Sequence, residues 1–155
     1  MAEGILASPQ RGTIAVLADD LIWASRLVAA VERAGAQAAR LSTQQQLETV
    51  LAADAEAEPV AGTFAGPAVS GPSRLLGVIV DLGGRRYDGT AAVALVSAAR
   101  LKVIAVAQHE DQLVRKRALG AGAQRVFSYA KLFTDGPALI ERWLVAERSG
   151  RELRA

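Results

Sequence analysis

Three runs of largely apolar residues give the strongest strand signals in the chain. They cover residues 13–17, 75–80 and 101–107, and none of them alternates regularly between apolar and polar positions. Runs of this length without alternation are typical of strands that are buried on both faces of a parallel sheet. Weaker runs at 36–41 and 125–130 bring the predicted number of strands to five.

Segments with apolar residues at helical spacing separate these strands, and each has a recognisable boundary signal. The first predicted helix covers 21–34, is preceded by Asp19 and Asp20, and is ended by Gly35. The second has Ser42 as its N-cap, and the third ends near Arg100. The fourth covers 111–119, and the last has Pro137 at its first position.

Strands that alternate with helices predict one α/β domain, a doubly wound parallel sheet with helices on both faces and right-handed crossovers. We expect this domain over residues 12–148, with residues 1–11 as a disordered arm and 149–155 as a basic tail. A stretch rich in Pro, Gly and Ala at about 53–73 interrupts the alternation. It is predicted to be an insertion, either a tolerated surface loop or a loop that becomes ordered on a partner.

Composition narrows the class further. The chain has 155 residues, 51% of them apolar, which suits one domain with one core. It contains no cysteine, which excludes disulfides and thiolate metal sites and favours a cytoplasmic location.

No apolar run is long enough to cross a bilayer, so a membrane association is not expected. The net charge of +2 decides little, and the arginine clusters lack the interleaved aromatic residues of a single-strand binding surface. Nucleic acid is therefore not an expected partner.

Acidic residues follow two of the predicted strands. Asp19 and Asp20 come after the first strand and Asp81 after the third. In an open parallel sheet, ligands collect outside the carboxyl ends of the strands. Because Mg²⁺ prefers a few fixed oxygen ligands, Asp19 and Asp81 form a candidate metal site. We expect this site to be weak and no cofactor to be required.

The spacing of these residues resembles that of the receiver domain of bacterial two-component response regulators, over about residues 12–146. Asp81 is followed seven and eight residues later by Asp88 and Gly89, and Ala107 lies sixteen residues before Ala123. The resemblance implies a flavodoxin-like strand order of 2-1-3-4-5 and makes Asp81 the phospho-acceptor position.

Four positions depart from the family's pattern. Ala18 stands where the resemblance implies one of two acids, and Ala107 where it implies the switch hydroxyl. The family's lysine falls on Tyr129 when the chain is counted without gaps, or on Lys131 if the fifth strand begins two residues later. The aromatic switch position falls accordingly on Val126 or on Ser128, and neither is aromatic.

These departures predict an atypical, degenerate receiver. Without a hydroxyl at residue 107, a phosphoryl group on Asp81 would have no differential contact with which to shift a conformational equilibrium. If the lysine is absent, the charge partner of the phosphoryl oxygens is lost too. The sequence thus predicts a signalling module that acts by protein–protein contact, independently of phosphorylation, through the fourth helix, fifth strand and fifth helix, including contact with a second copy.

Two other functions are consistent with the sequence. The first is a conventional response regulator phosphorylated on Asp81 by a histidine kinase, which requires Lys131 to reach the site. The second is a domain that binds a small ligand or an anion, with residues 83–86 (Gly-Gly-Arg-Arg) as the anion-binding turn. No nucleophile–base pair is visible and His109 has no partner, so an enzyme is not expected. Trp23 and Trp143 are predicted to lie in the core.

Overall fold

The computed structural model describes residues 12–56, 75–108 and 110–154, with side chains described as far as residue 145. The strands in these ranges are β1 (Thr13–Leu17), β2 (Gln37–Leu41), β3 (Leu75–Asp81), β4 (Lys102–Ala107) and β5 (Arg125–Ser128). They form one sheet in the order β2-β1-β3-β4-β5, and every neighbouring pair is parallel. The predicted doubly wound, flavodoxin-like sheet is therefore confirmed.

Helices cover both faces of the sheet. They are α1 (Leu21–Arg33), α2 (Gln44–Glu56), α3 (Gly89–Ala98), α4 (Gln112–Ala121) and α5 (Tyr129–Arg154). In β1, Ile14 and Val16 pack with α1 and α5, whereas Ala15 and Leu17 pack with residues of α2 and α3. Successive strand residues point to opposite faces, and both faces are buried, which explains why the strands are continuous apolar runs. None of the described helices has the length and apolar character needed to cross a membrane.

The helix boundaries follow from local hydrogen bonding. Asp20 is the N-cap of α1, because its carboxylate accepts from the amides of Ile22 and Trp23 at 2.9 and 3.0 Å. At the other end of α1, Gly35 adopts a φ of +93°, a left-handed conformation that glycine takes without steric cost. The predicted cap of α2 is wrong by one residue, since the Thr43 hydroxyl, and not that of Ser42, accepts from the Gln46 amide at 3.2 Å.

Several predicted boundaries differ from the structure. Residues 53–56 belong to α2, so the insertion begins later than predicted, and the rest of it lies outside the described residues. Likewise, α4 continues to Ala121 and ends where Gly122 has a φ of +121°. The tail does not begin at 149 as a separate segment, because α5 runs on to Arg154.

The start of α5 is the most consequential difference. The fifth strand ends at Ser128, not at Ala130, and Tyr129 is the first residue of the helix. The helix is interrupted at Asp135, whose φ and ψ are −120° and 18°, and Pro137 lies in the first turn after this break. Proline suits the beginning of a helix because its missing N–H has no helical partner there. The first six residues of α5 therefore form a short segment at the carboxyl edge of the sheet.

Close packing fixes the second part of α5 on the sheet. A Cβ atom on Gly77, in β3, would lie 2.6 Å from the indole of Trp143, so only glycine leaves room for that ring. The indole nitrogen of Trp143 donates to the side-chain oxygen of Gln124 at 2.7 Å. Trp143 is buried as predicted, whereas Trp23 is half-buried and lies at the surface between α1 and α5.

Candidate functional site

Asp81 is the last residue of β3 and lies at the carboxyl edge of the sheet. Its side chain is 2% exposed, and it is the single buried charged residue in the part of the chain that the structure describes. One carboxylate oxygen, Oδ1, accepts hydrogen bonds from the Gly83 amide at 2.9 Å and from the hydroxyl of Tyr129. Burial raises the pKa of Asp81, as do the nearby charges of Asp19 and Asp20, while these two hydrogen bonds partly offset the rise.

Tyr129, and not Lys131, reaches Asp81. Because β5 ends at Ser128, the first turn of α5 directs the phenol of Tyr129 toward the carboxylate. Lys131 is exposed, and its ammonium group pairs with Asp135 at 3.1 Å on the same helix. Of the two residues that the sequence left open for the lysine position, the structure brings only the tyrosine to the site.

Two glycines make room for two tyrosines in the loop that follows β3. A Cβ atom on Gly83 would lie 2.6 Å from the Tyr129 hydroxyl oxygen, and one on Gly84 would overlap the ring of Tyr87. The Tyr87 hydroxyl donates to the backbone carbonyl of Asp81 at 2.6 Å and lies 3.1 Å from that of Leu17. Burial raises the pKa of both tyrosines. The charge of Asp81 raises the pKa of Tyr87 further, and the hydrogen bond to Asp81 does the same for Tyr129, so both remain protonated hydrogen-bond donors.

Asp19 anchors the same loop from the neighbouring strand end. Its Oδ2 atom accepts from the backbone amides of Arg85 and Arg86, both at 2.7 Å. The Gly-Gly-Arg-Arg turn at 83–86 is therefore an anion-binding turn, as its composition indicates, but the anion that it binds is a carboxylate of this chain. The neighbouring Asp20 is committed to capping α1.

The donor set for a metal ion is small. Asp19 binds the loop that follows Asp81, and its charge contributes to raising the pKa of Asp81. However, one Asp19 oxygen already binds two amides, and Ala18, which is fully buried, supplies no oxygen from its side chain. Within the described residues, no group of three His, Cys, Asp or Glu side chains could hold a metal ion.

The positions to which the resemblance assigns a switch lie in β4 and β5. Ala107 ends β4 and is 2% exposed. Val126 is buried in the core, and the Ser128 hydroxyl accepts from the Lys131 amide at 3.1 Å, which caps the start of α5. Asp88 caps α3 by accepting from the Ala91 amide at 3.1 Å.

The sequence did not predict that Tyr87 bonds to the backbone of Asp81 or that Trp23 lies at the surface. The available signal for Tyr87 was an aromatic residue directly after a Gly-Gly-Arg-Arg turn, in a chain with only two tyrosines. Trp23 packs on the ring of Tyr129 with 4.3 Å between ring centroids and 33° between ring planes. His109, for which the sequence indicates no partner, lies outside the described residues.

Solved structures place this architecture among known folds. A CheY-like receiver domain protein from Methanospirillum hungatei has a TM-score of 0.67 and 16% identity, over 90% of this chain and 98% of that one. A receiver domain protein from Clostridium thermocellum has a TM-score of 0.67 and 14% identity, over 88% and 97%. The receiver domain of a DNA-binding response regulator from Colwellia psychrerythraea has a TM-score of 0.64 and 18% identity, over 86% and 98%.

This chain has the receiver fold. The similarity is one of structure, since no model of a protein family and no curated protein sequence matches the chain. Within the receiver fold, Asp81 occupies the end of the central strand β3, and Ala107 the end of its neighbour β4. The resemblance based on residue spacing thus led to the correct fold.

Proposed function

We propose that this chain is an atypical receiver-like signalling module that acts by contact with protein partners and does not depend on phosphorylation of Asp81. The observation that carries the proposal is the hydrogen bond from the Tyr129 hydroxyl to the buried Asp81 carboxylate. This contact supports a site in which the Asp81 carboxylate accepts a hydrogen bond from a neutral group of the same chain.

The chemistry of phosphoryl transfer requires what this site lacks. Asp81 would attack a phosphorus atom through a carboxylate oxygen, and one of its two oxygens, Oδ1, already accepts from the Tyr129 hydroxyl and the Gly83 amide. The phosphoryl group would then need positive charge around its oxygens, and the Tyr129 phenol contributes none. Ala107 has no hydroxyl that could contact the modified group.

The two other functions receive less support from the geometry. A conventional response regulator needs Lys131 at the site, whereas its ammonium group is paired with Asp135 on the surface of α5. An anion-binding domain needs free amides in the turn at 83–86, and Asp19 already accepts from those of Arg85 and Arg86. We therefore expect that Mg²⁺ binds weakly and that no cofactor is required.

Exposed apolar side chains on α4 and α5 support a role in protein contact. Leu113 and Leu119 on α4 are 59% and 49% exposed, and Val145 on α5 is 51% exposed. Helices α4 and α5 both pack next to β5, so these residues lie on the elements for which the sequence predicts contact with a partner or a second copy. Single apolar residues at the surface are common, and these three support the proposal only because they lie on the elements predicted for partner contact.

Direct labelling tests the proposal. The full chain is incubated with acetyl phosphate and Mg²⁺, and separately with beryllofluoride and Mg²⁺, beside a conventional receiver as positive control and Asp81→Asn as negative control. We expect no phosphoryl adduct by intact-protein mass spectrometry and no change in the sedimentation coefficient. Stoichiometric labelling that Asp81→Asn abolishes, together with a changed dimer fraction, would refute the proposal.

A double variant shows whether the identified residues are the cause. Tyr129→Lys combined with Ala107→Thr restores the missing charge and hydroxyl, and we expect it to gain labelling on Asp81. Of the single substitutions, Tyr129→Lys should gain more labelling than Ala107→Thr, because the lysine supplies the charge for the phosphoryl oxygens and the hydroxyl contacts only the modified group. If the double variant remains unlabelled while still folded, these two residues are not what prevents phosphorylation.

A further inference from the structure

A surface groove separates α1 from the first part of α5. Its lining side chains include Trp23, Arg26, Ala30 and Arg33 from α1 and Phe133 and Pro137 from α5, and its volume is about 190 Å³. We call this feature the Arg26 groove. It lies on the face of the sheet covered by α1 and α5, away from α4.

Two aromatic rings hold Arg26 in place. Its guanidinium carbon lies 4.0 Å from the centroid of the Phe133 ring and 5.3 Å from that of Trp23. Such contacts use the flat faces of the guanidinium group and leave the N–H groups at its edge available for an anion. In the described structure, Arg26 has no carboxylate partner. A cation that is already ordered loses less conformational entropy when it binds an anion.

A second unpaired arginine lies on the same face of α1. Arg33 follows Arg26 by seven residues, which is about two helical turns or roughly 10 Å along the axis. It also has no carboxylate partner among the described side chains, and it is exposed. Asp135, the acid at the break in α5, is neutralised by Lys131 and does not reduce the positive charge of the groove.

The floor and wall between the two arginines are apolar. Ala29 is half-buried and small, which leaves room beside α1, and Phe133 is 60% exposed. At the start of α1, Leu21 and Ile22 extend this apolar character, with exposures of 67% and 64%. The groove thus combines an apolar strip with two positive charges about two helical turns apart.

We propose that the Arg26 groove binds an acidic amphipathic helix of a partner protein. Two carboxylates at positions i and i+7 of that helix pair with Arg26 and Arg33, and an apolar side chain between them packs against Phe133 and Pro137. Charge complementarity decides the occupant, because an apolar partner would leave both guanidinium groups without a counter-charge. The inference rests on the proposed function, which requires a protein partner, and it names the surface and the chemistry of that partner.

This surface differs from the exposed apolar residues of α4 and the second part of α5. It is also in direct contact with the candidate site, because Trp23 of the groove packs on Tyr129, which bonds to Asp81. A helix in the groove therefore contacts the ring that supports the closure of the site. The chain would present two separate surfaces to its partners.

A synthetic helical peptide provides the probe. It carries Glu at positions i and i+7 and Leu at i+3 and i+4, and its matched control has Gln in place of both Glu residues. Binding is followed by the fluorescence of Trp23, which lines the groove. The other tryptophan, Trp143, is buried against β3 and bonded to Gln124, so it contributes a constant background. We expect saturable binding of the acidic peptide that weakens as salt increases.

Variants of the full chain locate the binding site. Arg26→Gln and Arg33→Gln should each weaken binding about tenfold, in line with the loss of a charge-assisted hydrogen bond. The control is Arg117→Gln, which removes an exposed positive charge from α4 and should change the affinity less than about twofold.

Three results would overturn the inference. The acidic peptide does not bind, the Gln peptide binds equally well, or Arg117→Gln has the same effect as Arg26→Gln. If Arg26→Gln instead abolishes self-association in sedimentation experiments and the peptide does not compete, the occupant is a second copy of this chain and the proposal is wrong. Labelling of Asp81 by acetyl phosphate is a separate measurement, so failure of the proposed function is distinguishable from failure of this one.

Discussion

The hydroxyl of Tyr129 donates to Oδ1 of Asp81, although the two residues lie 48 positions apart in the sequence. The contact joins the end of the central strand β3 to the first residue of α5. It supplies a neutral donor to a carboxylate that burial has removed from water, where an unsatisfied charge would be costly. The same phenol engages one of the two carboxylate oxygens of Asp81.

Removing this hydroxyl should destabilise the protein. Tyr129→Phe leaves Asp81 with the Gly83 amide as the one remaining donor to Oδ1, and we expect a loss of about 1–3 kcal/mol in the free energy of unfolding. Urea denaturation at neutral pH measures the change. Val145→Ala, an exposed truncation on the same helix, should stay within about 0.5 kcal/mol of the parent. Equal effects of the two substitutions would show that the hydroxyl contributes nothing specific.

Stability should depend on pH through Asp81. Its pKa in the folded protein is raised above the ordinary value of 3.8, so folding favours the protonated carboxyl. The resulting stabilisation is fully present below the pKa of the unfolded chain and is lost as pH rises through the folded pKa. Asp81→Asn keeps an oxygen acceptor and removes the charge. It should therefore gain stability relative to the parent as pH increases from about 4 toward neutrality.

Urea unfolding of both proteins across this range checks the expectation. The difference in free energy of unfolding should change in the acidic range and become constant at higher pH. A difference that moves in favour of the parent as pH rises would contradict the assignment of a raised pKa to Asp81.

Gly83 should be as necessary for the closure as Tyr129 itself. An added Cβ would lie 2.6 Å from the Tyr129 hydroxyl oxygen, so Gly83→Ala must displace the phenol. We expect a loss of stability similar to that of Tyr129→Phe, and a double variant that is less destabilised than the sum of the two. The control is Gly120→Ala in α4, where no atom lies within 4 Å of the added Cβ. It should stabilise the helix by about 0.5–1 kcal/mol. An additive double variant would argue against a shared contact.

Asp19 should determine how tightly the loop after β3 is held. Asp19→Asn weakens the acceptor of the Arg85 and Arg86 amides, and hydrogen exchange at these two amides should become faster. Asp20→Asn is the matched control, because asparagine caps helices about as well as aspartate does. Unchanged exchange in the Asp19 variant would mean that other contacts hold the loop.

The sequence predicted the sheet well because the physical cause of the pattern is local. Residues such as Ile14 and Ala15 are buried on opposite faces, so the apolar runs mark the strands directly. The end of β5 was harder to predict. Tyr129 and Ala130 continue an apolar run, and the Ser128 hydroxyl that caps the helix after it gives only a weak signal.

The sequence predicted where the site lies but not which contacts its residues make. The spacing from Asp81 to Asp88 supported the receiver resemblance, and Asp81 does end β3, but the role of Asp88 as the N-cap of α3 was not predicted. The choice between Tyr129 and Lys131 depended on where β5 ends. The hydrogen bond from the Arg85 amide to Asp19 joins residues 66 positions apart, and the one from Tyr87 to Leu17 joins residues 70 positions apart. No local pattern in the sequence encodes such contacts.

The fit between Gly83 and the Tyr129 hydroxyl couples these two positions. A mutation that removes the tyrosine leaves a buried acid with one donor fewer, and a mutation that enlarges the glycine displaces the ring. A substitution at either position alone therefore lowers the stability of the protein. The two positions restrict each other, so a change that keeps the fold intact must alter both together.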